Sequence, residues 1–263
     1  ENERELLFKT GCKFLINYSI KEPTFIIVLH ESKTFKRCLD LIFESELGEE
    51  KSELLSPIFQ FFAEILALKD NDFNVEEEED QESNEKKPKT REEQDKKMIN
   101  EILFNLAKNI NASSLLGYLI EDQKHLKDEK YDHLYMHIFQ CLSNLIDALD
   151  GIPDDIVIED EIDPISEVVK RVMYKGRNKI TIEMIYFFLK FCQYLNEEQL
   201  TKLLISVDQE FVDSLILSVG SYDEDILNCL IDLIEKLLSN IGLKAETSEQ
   251  INYFINKSFS ECI

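Results

Sequence analysis

Apolar residues recur at intervals of three and four along most of the chain. Leu54, Ile58, Phe61, Phe62, Ile65 and Leu66 follow this spacing. So do Leu134, Ile138, Leu142, Leu145, Ile146 and Leu149, and, with small slips, Ile182, Ile185, Tyr186, Leu189 and Phe191. A period between three and four places side chains on one face of an α-helix. The stretches 184–189 and 226–238 are apolar on nearly every side, which predicts helices covered by other helices. Alternation of period two is rare. Ile156-Val157-Ile158 is the one short candidate, and it reads better as a loop or a short helix. The pattern predicts an all-α chain.

One segment breaks the pattern. Residues 71–96 hold Glu76-Glu77-Glu78-Glu79-Asp80 and then Lys86-Lys87-Pro88-Lys89, with almost nothing apolar after Val75. Such a stretch buries too little surface to offset the entropy of ordering it, and it reads as a flexible insertion, acidic first and basic after. Around it the helices repeat. Long ones are expected at 4–18, 51–68, 132–149, 178–194 and 223–239, and shorter ones at 24–30, 34–43, 99–110, 163–173, 197–205 and 209–219. The last three long helices start about 46 and about 45 residues apart; the pair flanking the insertion starts about 81 apart. Short, short, long at a period in the forties is the pattern of armadillo and HEAT repeats, so the expectation over 1–263 is a single right-handed superhelical solenoid. Gly151, Gly176, Gly220 and Gly242 fall where helices should end, as C-cap glycines do.

Composition narrows the function classes. The 263 residues include only 7 Gly and 5 Pro, too little glycine for folds built on tight turns or phosphate loops. A net charge of −24 repels phosphate backbones and acidic membrane surfaces, so neither nucleic acid nor membrane is an expected partner. The same charge suits a partner rich in Lys or Arg, and it also serves solubility. Six cysteines, at 12, 38, 141, 192, 229 and 262, are scattered without zinc or redox spacing. Most lie in apolar runs, which suggests buried, reduced thiols of a cytoplasmic or nuclear protein. No signal-peptide pattern is visible, both ends read as cuts through a longer chain, and the most apolar run stops at Lys190, too short to span a bilayer.

Residues 183–200, from Glu183-Met184-Ile185-Tyr186 to Asn196-Glu197-Glu198-Gln199-Leu200, line up without gaps with a long third helix and the Glu-Gln that follows it in the importin-α (karyopherin-α) family. Asp163-Pro164-Ile165, Leu142-Ser143-Asn144-Leu145, residues 230–238 and Glu249-Gln250-Ile251 resemble other segments of that family. The likeness is closest over about 130–263 and loose before that. It implies an armadillo adaptor whose long helices line a concave groove for an extended Lys/Arg-rich peptide. In that family each long helix presents a Trp and, four residues on, an Asn that holds the peptide backbone. This chain has no Trp. Gln140 and Asn144 take the pair in one repeat, Tyr186 and Lys190 in the next, and Phe62 and Leu66 earlier. Asp147 stands at an acidic partner position. Tyr186 can stack on a ligand, whereas Lys190 would repel a basic one. The implied role is a non-catalytic protein-binding adaptor, with a basic peptide or an importin-β-type carrier as partner, in cytoplasm or nucleus. The alternative is a fixed subunit of a cytoskeletal or ciliary assembly whose groove has lost its transport chemistry.

Catalytic and metal patterns are weak. His133 and His137 are four apart on one helix, but no His-Glu-x-x-His pattern completes a site, and His30 and His125 are isolated. No Gly-rich phosphate loop or nucleophile elbow occurs. Carboxylate pairs such as Asp154-Asp155 are common in a chain with 53 acidic residues and read as solvated. The acidic run 154–163 is a candidate contact for a basic partner. No cofactor and no enzymatic activity are expected.

Overall fold

A computed structural model describes residues 3–43, 49–69, 90–121, 131–173, 178–206, 228 and 231–232. They form ten helices: α1 (Glu3–Lys21), α2 (Phe25–Glu31), α3 (Thr34–Phe43), α4 (Glu49–Ala67), α5 (Arg91–Asn109), α6 (Ala112–Glu121), α7 (Asp132–Leu149), α8 (Ile158–Met173), α9 (Asn178–Tyr194) and α10 (Glu197–Ser206). Among the described residues there is no strand. The expected helices at 34–43, 132–149 and 178–194 coincide with α3, α7 and α9. The expected helix at 209–219, most of that at 223–239, residues 71–89, and Gly176, Gly220 and Gly242 lie outside the described residues.

Four expectations are corrected. Residues 91–96, placed in the insertion, are the first turns of α5. Thr90 starts the helix with a capping box: its Oγ1 accepts from the Glu93 N–H at 3.2 Å, and its own N–H donates to Glu93 Oε2 at 2.7 Å. Second, α6 was not expected, because Ser113, Ser114 and Gly117 dilute its apolar pattern. It begins behind two acceptors: Asn111 Oδ1 receives the Ser114 N–H at 2.8 Å, and Asp155 Oδ2 receives that of Ser113 at 2.9 Å. Third, α7 ends at Leu149 as expected, but the residue that caps it is not Gly151. Asp150 itself adopts the left-handed conformation (φ 52°, ψ 42°), and the Gly151 N–H reaches back to Ile146 O at 3.1 Å. Helix α8 also starts earlier than expected and runs through Pro164.

The long helices α1, α4, α7 and α9 pack side by side in that order, α4 on α7 most extensively. Their buried faces carry the core: Ile16 of α1, Ile58, Phe61, Phe62 and Ile65 of α4, Ile138, Phe139 and Leu145 of α7, and Met184, Phe188 and Phe191 of α9. Polar contacts fix the direction of neighbours. Gln140 bonds Glu183, Asp147 bonds Lys190 and Asp150 bonds Tyr194, a sequence offset of 43 or 44 at each step. A constant offset means that α7 and α9 run parallel; antiparallel neighbours would hold a constant sum instead. Asn144 with Ala63 and Ala148 with Lys69 give α4 and α7 the same sense. Parallel neighbours need a return path, and the intervening helices provide it in a second row. There α2 meets α3 and α5, α6 meets α8, and α8 meets α10, with α5, α6 and α8 also resting on the long helices. At the first long helix, Cys12 and Ile16 face inward while Leu7, Phe14 and Tyr18 are exposed.

Candidate functional site

Each of three long helices leaves one stripe out of the core. On α4 it is Gln60 and Glu64, on α7 Met136, Gln140, Asn144 and Asp147, and on α9 Glu183, Tyr186 and Gln193, all half-buried. The spacing of three or four keeps each stripe on one helical face. The in-register packing then sets the stripes edge to edge as one polar surface. All five residues singled out in the sequence, Gln140, Asn144, Asp147, Tyr186 and Lys190, meet here. Phe62 and Leu66 do not; both are almost wholly buried in the core of α4.

The polar groups of this surface are largely committed to one another. Asn144 Nδ2 donates to the backbone carbonyl of Ala63 at 2.8 Å, so the amide spans two helices. Gln140 Nε2 donates to Glu183 Oε1 at 2.7 Å, while Gln140 Oε1 lies 2.9 Å from His137 Nδ1. This contact makes Nδ1 of His137 the protonated nitrogen. Burial lowers the His137 pKa below its usual range; the bond to Gln140 opposes the shift and nearby His133 adds to it.

Lys190 departs furthest from its expected role. Its ammonium pairs with the Asp147 carboxylate and lies 4.2 Å from the centroid of the Tyr186 ring. Only 7% of the residue is exposed. Burial works to lower its pKa, but the bonds and charges of Asp147 and Tyr186 outweigh that, and the net shift is upward. The expected repulsion of a basic ligand is therefore corrected: the charge is balanced within the chain and turned into the surface.

A cavity of about 200 Å³ opens between α4, α7 and α9, lined by Ala63, Glu64, Gln140, Ser143, Asn144, Glu183 and Tyr186. Sequence reasoning missed Glu64, Ser143 and Glu183, since two acids among 53 carry no local signal. Burial raises the pKa of Glu64. It also raises that of Glu183, where the bond from Gln140 opposes the shift and the neighbouring Glu64 charge reinforces it. Ser143 is fully buried, and its Oγ makes no hydrogen bond. Of two larger hollows, one of about 650 Å³ lies beside Phe104, Leu149 and Pro153 and is lined also by Asp154 and Asp155 of the acidic run, and one of about 770 Å³ lies beside Phe35, Leu39 and Leu106.

His137 aside, the remaining candidates separate from this surface. Asp155 caps α6, and Asp163 sits 3.7 Å from Lys202, so at least two carboxylates of the acidic run have partners in the chain. His133 and His137 stack with ring centroids 6.5 Å apart, and among the described residues no group of three or more His, Cys, Asp or Glu could hold a metal ion. Burial pushes the Cys141 thiol up to about 12 and that of Cys12 to about 11, away from nucleophilic thiolates. No described helix is long and apolar enough to cross a membrane. Protein-family models and curated proteins, compared with this sequence, give no match.

Proposed function

We propose that this chain is a non-catalytic protein-binding adaptor or scaffold, an armadillo-like solenoid of the importin-α type in architecture, and that it binds a partner through the surface of its long helices. The observation that carries the reading is the parallel, in-register row α4–α7–α9, which sets three polar stripes side by side around one cavity. A row of this kind offers a long surface fitted to an extended or helical segment of another protein. The net charge of −24 favours a basic partner and speeds its encounter. We place the protein in the cytoplasm or nucleus on its cysteine usage.

A second reading is favoured by a specific observation. Asn144, which would hold a peptide backbone in an importin-α groove, is bonded to Ala63, and Lys190 fills the space over Tyr186. A surface whose polar groups bond each other suits a permanent subunit of a cytoskeletal or ciliary assembly better than a carrier that exchanges cargo. Isolation of the full-length protein from its own cells tests both. A stoichiometric partner, lost from a folded Gln140→Arg/Tyr186→Glu variant, supports binding at this surface; equal retention by the variant overturns it. Exchange of the bound partner within minutes indicates a carrier, and retention over hours a fixed subunit.

A further inference from the structure

The first long helix is apolar on two faces. Cys12 and Ile16 of α1 are buried, and the helix packs on α4 and α2. At 3.6 residues per turn, Leu7, Gly11, Phe14 and Tyr18 form one stripe on its far side. Leu7 is 75% exposed, Phe14 60% and Tyr18 45%. No charged residue falls on the stripe between Leu7 and Tyr18. Its rings are already held in place. Phe14 and Tyr18 stack with centroids 5.8 Å apart, and the Phe25 ring meets Tyr18 edge-on at 4.6 Å. Gly11 leaves a notch in the middle. Glycine destabilises a helix interior relative to alanine, yet a Cβ at Gly11 would meet no atom within 4 Å. The packing of this chain on itself gives no reason for the notch.

We propose that this stripe docks a second copy of the chain, as an antiparallel pair of α1 helices about a twofold axis. The contact uses α1 alone and does not depend on a partner at the α4–α7–α9 surface. The spacing of the stripe, four, three, four, reads the same in both directions. In an antiparallel pair, position 7 of one copy therefore faces 18 of the other, and 11 faces 14. Sizes match as well as spacing. Phe14 of each copy seats in the notch over the partner's Gly11, and Leu7 packs on the partner's Tyr18. A parallel pair would set glycine against glycine and ring against ring, leaving a gap beside a clash. Such a self-complementary patch serves both subunits of a twofold dimer. Charge also favours a copy of this chain. Residues 6–21 contain Lys9, Lys13 and Lys21 and no Asp or Glu, in a chain of net charge −24. Two such chains can approach at α1 without setting acid against acid, and the lysines meet a partner that is acidic elsewhere. The stacked rings need little further ordering, which lowers the cost of association. The stripe is small for an interface, so a dissociation constant of about 10–100 µM is expected.

The test is sedimentation velocity of the full chain from about 1 to about 300 µM. The expected result is a monomer–dimer equilibrium that tightens as salt is raised, because screening relieves the repulsion between two acidic chains. Phe14→Glu and Gly11→Leu should each weaken the dimer at least about tenfold. Under monomeric conditions Gly11→Leu should keep or raise Tm, since leucine is the better helix former, so loss of the dimer is not loss of the fold. Leu41→Glu, which removes an exposed apolar side chain of α3, should leave the dimer unchanged. Orientation is read by mixing Leu7→Cys and Tyr18→Cys chains under mild oxidation and locating the disulfides by mass spectrometry. The antiparallel pair expects a link between positions 7 and 18 of different chains and none from either variant alone. A chain that stays monomeric throughout, a dimer indifferent to Phe14→Glu and Gly11→Leu, or an equal loss in Leu41→Glu overturns the proposal. So does a link joining 7 to 7 or 18 to 18, the mark of a parallel pair. Capture of a different protein on the stripe of a monomeric chain overturns it as well.

Discussion

Residue positions on the long-helix surface were legible in the sequence, but the atoms they bond were not. Gln140, Asn144, Asp147, Tyr186 and Lys190 were picked out by the resemblance to importin-α, whose groove positions they match. That Asn144 reaches Ala63, 81 positions away, depends on which helices become neighbours. The same long-range pairing turned Lys190 from a repelling charge into a buried half of an ion pair. It follows that Asn144 is structural in part: Asn144→Ala should destabilise the fold by about 1–2 kcal/mol in chemical denaturation, with or without any ligand. Glu183 makes the opposite prediction. Its folded-state pKa lies above the ordinary 4.5, so the folded chain holds more protons than the unfolded chain just above pH 4.5. The stability this contributes is fully present below pH 4.5 and is lost as pH rises through the folded-state value. Glu183→Gln keeps an acceptor for Gln140 and removes the charge. It should raise Tm at pH 7 and give no gain at pH 4; a lower Tm at pH 7 would contradict this account of the cavity.

Elements were readable wherever the apolar period was strong and misread where capping chemistry set the boundary. Helices α7 and α9 have dense apolar faces, and their limits matched. The start of α5 is polar, and 91–96 resembled the charged insertion. The signal was present in Thr90-Arg91-Glu92-Glu93, a Ser/Thr-x-x-Glu capping box. Two i, i+4 pairs, Glu92 with Lys96 at 3.8 Å and Lys97 with Glu101 at 3.9 Å, then support the exposed turns. Thr90→Ala should cost about 1 kcal/mol and increase amide exchange over 91–95 while leaving α7 and α9 unaffected. Only the cap of α7 was misread: Gly151 looked like the left-handed residue, while Asp150 takes that conformation and accepts the Tyr194 hydroxyl at 3.0 Å.

At the scale of the whole molecule, an all-helical chain followed from periodicity and scarce glycine. The parallel row of long helices follows from contacts among residues far apart in sequence, with offsets near 43 and 80 that no local window displays. Its functional consequence is a continuous surface across α4, α7 and α9, the place where this account puts the partner. The most direct test is site-specific photo-crosslinking in cells, with the photoreactive residue at Tyr186 on that surface in one variant and at Val157, exposed beside the second row, in another. The account expects Tyr186 to yield a discrete protein adduct that Val157 does not, and expects Gln140→Arg in the same chain to reduce it. Adducts of equal pattern and yield from both positions, or from Val157 alone, would contradict a binding face on the long helices.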